Sequence, residues 1–127
     1  MSSLIRDTHQ TILTSFDAAV ASPRRENLYF QVLLACALAP TDHLGRFRAV
    51  DIREPFSQIM QRRYDIPAYS KHLHDLCNPA RGEALQKFGA IHNYRFRFTN
   101  PMLQPFMIMQ GLEQKLIGLQ DIRPRNI

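Results

Sequence analysis

The sequence predicts a mainly α domain with one small β-hairpin, an α+β arrangement, and three observations carry that prediction. Apolar side chains recur at helical spacing in several separate stretches. Prolines punctuate those stretches where helices begin or stop. One segment, residues 94–98, alternates strictly between aromatic residues and arginine, which is the period of a strand. With 127 residues, 45% of them apolar, the chain suits one domain around one core.

Residues 4–39 read as two N-terminal helices. In the first, 4–21, Ile5, Ile12, Phe16, Ala19 and Val20 draw one stripe. Ser22-Pro23 then ends it and starts the next, because Ser caps a helix and Pro fits its first turn. The second helix reaches Ala39, where Pro40 stops it. Its Leu28, Val32, Leu33, Ala35, Cys36 and Ala37 leave little polar face, as expected of a central buried helix. Residues 26–31, Glu-Asn-Leu-Tyr-Phe-Gln, match a protease site used in expression tags. The string is internal, has no His tag and runs into Val32, so it reads as natural helix. An engineered join between 1–25 and 32–127 stays open at this point.

After a loop, 46–52 alternates Phe47, Ala49 and Asp51 with Arg48, Val50 and Ile52, so a short strand is expected. A third helix spans 54–63, with Pro55 in its first turn and Phe56, Ile59 and Met60 facing inward. A turn at 64–66 leads to a fourth helix, 67–78, on the stripe Ile66, Tyr69, Leu73 and Leu76. The hairpin covers 84–98, turning at 89–93. Tyr94, Phe96 and Phe98 face the core, and Arg95 and Arg97 face out. The last helix spans 100–117, with a kink expected at Pro105 and an end at Gly118. Residues 119–127 read as a flexible tail. A short strand, two tandem helices and a hairpin make a winged helix-turn-helix core at 46–98, with additional N-terminal and C-terminal helices in a single domain, 1–118.

From Val32 to Ile117 the chain resembles the C-terminal winged-helix domain of prokaryotic AAA+ ATPases of the origin-recognition-like kind. The strings that carry this are 32–39, Gly45-Arg46-Phe47, 69–76, Arg81-Gly82 and, above all, Tyr94-Arg95-Phe96-Arg97-Phe98-Thr99-Asn100-Pro101. The resemblance implies an ATP-binding parent protein with an ATPase module N-terminal to this piece. It also implies a winged helix that meets duplex DNA or that module.

The net charge is +5, from 16 Lys and Arg against 11 Asp and Glu, a mild bias toward acidic partners. The excess concentrates at 81–100, where Arg81, Lys87, Arg95 and Arg97 face only Glu83. Arginine pairs with phosphate through two parallel donors, and such contacts dominate affinity for DNA. Lys87 is expected to join Arg95 and Arg97 across the hairpin. On the fourth helix Lys71, His74 and Asn78 are candidates for groove or phosphate contacts, while Asp75 opposes them. The expected DNA-binding set is therefore Lys71, His74, Asn78, Arg81, Lys87, Arg95 and Arg97, acting weakly or without sequence preference. The alternative is a protein-interaction or regulatory module that touches an ATPase domain and no DNA.

Catalysis is not expected. No Gly-x-x-x-x-Gly-Lys-Ser/Thr loop and no Gly-x-Ser-x-Gly elbow occurs. His72 and His74 are two residues apart and diverge on a helix, so with Cys77 they do not build a metal site, and no cofactor is expected. Two cysteines without a disulfide framework, no signal peptide and no membrane-length apolar run point to the cytoplasm. The methionine-rich last helix (Met102, Met107, Met109) reads mainly as core, with part of it open to an ATPase module or a second copy of the chain as a homo-oligomer.

Overall fold

The computed structural model describes residues 12–14, 16–18 and 28–122. Its elements are α1 (Tyr29–Leu38), α2 (Ala49–Met60), α3 (Ile66–Asp75), a 3-10 turn (Pro79–Arg81), β1 (Leu85–Phe88), β2 (Arg95–Phe98), α4 (Leu103–Glu113) and a second 3-10 turn (Leu119–Asp121). The chain is thus mixed, mainly helical with a two-stranded antiparallel sheet. Residues 12–14 and 16–18 are helical, with Ile12 buried and Phe16 edge-on to Phe30 and Phe106 at 5.8 and 5.2 Å. Ile5, Ala19, Val20 and the Ser22-Pro23 boundary lie outside the described residues.

α1 is the central helix. Val32 through Cys36 have no exposed surface, and α2, α3 and α4 all pack on it. Tyr29 and Phe30, within the tag-like string, behave as core residues here. Tyr29 is buried and donates its hydroxyl to Asp75 Oδ2 at 2.7 Å, bridging α1 and α3.

The strand expected over 46–52 shrinks to one residue. Phe47 exchanges both backbone hydrogen bonds with Phe96, at 2.8 and 2.9 Å, and the chain is helical from Ala49. A helix wins because it brings Ile52 onto one stripe with Phe56 and Ile59, all buried, whereas a strand would turn Ile52 away from the Phe47 face. The Asp51 carboxylate accepts the Arg48 N–H at 2.8 Å and satisfies an orphan donor at the helix start. Pro55 therefore lies inside α2 rather than in its first turn. It forgoes one helical hydrogen bond and buries its ring.

α2 ends at Met60 with Gln61 in the left-handed region, at φ 55°. Ser57 Oγ accepts the Tyr64 N–H at 3.0 Å and folds the turn back. In α3, Tyr69 and Leu73 are fully buried, and Tyr69 donates its hydroxyl to the Ala49 carbonyl at 2.6 Å. Burial pushes the Tyr69 phenol up to about 12, so it remains a donor at any ordinary pH.

The hairpin register pairs Leu85 with Phe98, Gln86 with Arg97, Lys87 with Phe96 and Phe88 with Arg95. Leu85, Phe96 and Phe98 form its buried face. Tyr94 precedes β2 and is half-buried against His74. The last helix is shorter than expected. Pro105 falls in the first turn of α4, where its missing N–H costs nothing, so no kink is required there. Lys115, not Gly118, ends α4: it takes φ 59°, and the Leu116 N–H reaches back to the Gly111 carbonyl at 2.9 Å. Met107 is buried, whereas Met102 and Met109 are exposed. Residues 119–121, assigned to the tail by sequence, form the second 3-10 turn, and Ile122 packs on the core. Residues 123–127 lie outside the described set.

Replacing Phe47 by Ala is expected to cost about 3–5 kcal/mol, since it empties a fully buried aromatic site between α2 and the hairpin. Tyr69→Phe is expected to cost about 1 kcal/mol, for one hydrogen bond with the ring retained. Denaturant midpoints at constant m-value measure both, and equal losses would refute this ranking.

Candidate nucleic-acid interface

The seven sequence-predicted residues fall into three groups. The first is on the outer hairpin face. Arg95 and Arg97 share that face with Gln86 and Phe88, because directly paired residues of a two-stranded sheet point the same way. Arg97 is half-buried. Its Nη2 donates to Gln86 Oε1 at 3.0 Å, and its guanidinium lies 5.0 Å from the centre of the Phe88 ring. Arg46, from the loop before Phe47, brings a second guanidinium to within 4.0 Å of the same ring. The Phe47–Phe96 bridge holds that loop alongside β2. Arginine stacks on aromatic faces because a weakly hydrated planar cation loses little on contact with a π surface.

Arg95 is not fully free, contrary to the sequence expectation. Its Nη1 lies 3.3 Å from Asp42 Oδ2, with the two side chains 47% and 27% exposed. Asp42 Oδ1 also accepts the N–H groups of Leu44 and Arg46 at 2.8 and 3.0 Å. The Arg46 backbone hydrogen bond above all, then that of Leu44 and the positive charge of Arg95, hold the Asp42 carboxyl below its ordinary value.

Lys87 does not join the arginines. Its register with Phe96 places it on the opposite face, at the rim of the core. There its Nζ lies 3.2 Å from His74 Nδ1 and 4.8 Å from the centre of the Tyr94 ring. His74 is likewise turned toward the hairpin, edge-on to Tyr94 and Phe96 at 5.5 and 5.6 Å. It fastens α3 to the hairpin rather than facing solvent, and with Lys87 it forms the second group.

The third group is Lys71, Asn78 and Arg81, which border a shallow depression with Tyr29 and Asp75. Arg81 packs its guanidinium over Tyr29 at 3.7 Å. Asn78 accepts the Ala80 N–H at 2.9 Å and thereby starts the 3-10 turn. Lys71 is exposed. Asp75 sets a carboxylate at the edge of this depression, beside Lys71 and Arg81.

Sequence reasoning missed Arg46 and Phe88 as site residues. Arg46 meets the hairpin only through a long-range backbone pair, and the sequence places Phe88 in the first arm without fixing which face it takes. The Arg62-Arg63 doublet, exposed in the turn before α3, was also passed over, although two cations ahead of a helix start are visible in the sequence.

A separate cleft of about 370 Å³ opens among the end of α1, α2, α4 and the second 3-10 turn. Leu38, Val50, Glu54, Gln104 and Ile108 are among its lining. Among the described residues, no group of three His, Cys, Asp or Glu side chains is placed to hold a metal ion, and no helix is long and apolar enough to cross a membrane. Burial pushes the Cys77 thiol up to about 11, so it is protonated at neutral pH and a poor nucleophile. No family model, curated protein or solved structure matches the chain.

Burial, and then Lys87 for His74, holds His72 and His74 below the ordinary value of 6.5. The folded state therefore favours neutral imidazole. The stability these groups contribute is complete above about pH 6.5 and is lost as pH falls through their lowered folded values. The melting temperature should drop between pH 7 and about pH 5, and His72→Phe with His74→Gln should flatten that drop. An unchanged pH profile in the double variant would refute the assignment.

Proposed function

We propose that the chain is a non-catalytic winged helix-turn-helix domain that binds duplex DNA weakly and without sequence preference, through the outer face of its hairpin. In this reading Phe47 is the residual first strand, α2 and α3 are the helix-turn-helix pair, and β1 and β2 are the wing. The resemblance of residues 32–117 to the C-terminal domain of origin-recognition-like AAA+ ATPases supports this and makes an ATPase module the natural neighbour in the parent protein.

The observation that carries the proposal is the grouping of Arg46 and Arg97 on Phe88. Among the described residues, neither guanidinium is paired with a carboxylate. A ring and a neutral amide orient these cations without cancelling them, which leaves them able to pair with phosphate. Weak selectivity follows from α3, whose exposed residues Pro67, Ala68 and Lys71 offer few donors or acceptors to base edges.

A second reading, docking of a protein partner, has one specific observation in its favour. The cleft beside α1, α2 and α4 mixes apolar and charged lining, with Val50 exposed at its edge. It uses a different surface, so it does not compete for the hairpin arginines.

Arg46→Gln and Arg97→Gln should each weaken binding to a labelled duplex by about three- to tenfold at low salt, equally for unrelated sequences. Each should also lower the slope of log affinity against log salt by about 0.9. Fluorescence anisotropy at several salt concentrations reads both quantities. Affinity indifferent to salt, or to both substitutions, would overturn the proposal.

A further inference from the structure

We infer that Asp42 acts as an internal stand-in for phosphate: it occupies Arg95 and so limits how tightly the hairpin face holds an external polyanion. The inference rests on the duplex-binding reading above and adds an affinity-limiting residue to it. Three observations converge. Arg95 is paired directly with Phe88 and lies on the same face as Arg97, so it is placed to contribute a third guanidinium. Asp42 meets it at 3.3 Å through Oδ2 alone. The other oxygen, Oδ1, is committed to the backbone N–H groups of Leu44 and Arg46, which fixes the carboxylate where it faces Arg95.

The pair is exposed, and exposed ion pairs are weak. A duplex phosphate therefore competes with Asp42 on nearly even terms, so that Arg95 contributes only part of a phosphate contact. Asp42 also sets one negative charge at the edge of a cationic face, which disfavours acidic ligands that approach from that side.

The division of labour between the two carboxylate oxygens makes the idea separable from folding. Asp42→Asn retains an oxygen for Leu44 and Arg46 and removes the charge from Arg95. Asp42→Ser, whose hydroxyl supports a similar local turn, gives the same readout should the amide disturb the loop.

The experiment titrates the full chain with a labelled duplex across a fourfold range of salt, using the parent sequence, Asp42→Asn, Arg95→Ala and the double variant. Asp42→Asn should bind more tightly. Its advantage should grow by up to about threefold from the highest to the lowest salt, the limit set by one fully added phosphate contact. The gain should vanish when Arg95→Ala is also present. A gain that survives Arg95→Ala would mean that Asp42 acts only as a distant charge, and no gain would mean that Arg95 is not restrained; either result overturns the inference. If Arg46→Gln and Arg97→Gln weaken binding while Asp42→Asn changes nothing, this inference alone falls. If no variant binds duplex at low salt, the reading beneath it falls too.

Discussion

The reciprocal backbone pair between Phe47 and Phe96 is the constraint on which the rest of the arrangement depends. It joins two segments nearly fifty residues apart, and it does so at the one point where the chain leaves the 41–46 loop and enters α2. Both rings are buried, stacked with centroids 6.1 Å apart, and Phe98 lies 6.5 Å from Phe47. Once those rings turn inward, the alternation of β2 obliges Arg95 and Arg97 to turn outward. The same pair brings Arg46 and Asp42 to the edge of the outer face. The cationic cluster is thus a consequence of core packing, not a separate feature laid on it.

The outer face shows two ways to hold an arginine. Phe88 and Gln86 hold Arg46 and Arg97 by contact with an aromatic ring and a neutral amide. Asp42 holds Arg95 by charge. The first mode fixes orientation and preserves the cation's capacity for an anion; the second partly consumes it. A net charge of +5 understates this contrast, because overall charge does not say which cations are already engaged. The His74–Lys87–Tyr94 contact has a different role. It fastens α3 to the hairpin and keeps the two elements in fixed relation, so that a ligand on the hairpin would meet a set orientation of α3.

Much of the helical framework was legible in the sequence, because apolar stripes such as Tyr69–Leu73–Leu76 report burial directly. The hairpin was legible for the same reason at period two. Boundaries were harder. Gln61 and Lys115 end their helices in a conformation usually announced by glycine, so neither residue type signalled a stop. Asp51 supports the start of α2 from three residues inside it, and the alternation around Phe47 masked the helix that follows. Lys87 was misplaced because its facing depends on the register across the hairpin, which the turn sets rather than the strand composition. Arg46 was missed because its contact with Phe88 exists only after the Phe47 bridge forms. Local pattern revealed local structure, while the composition of the surface cluster depended on a long-range pairing.

The proposed function requires the guanidinium groups around Phe88 to meet phosphate directly. Guanidinium Nη–H resonances of arginine, followed by NMR as a short duplex of arbitrary sequence is added, test this most directly. The Arg46 and Arg97 signals should shift together with the duplex and return on addition of salt. Unmoved Arg46 and Arg97 signals, with shifts confined to residues of the cleft beside α1, α2 and α4, would contradict it.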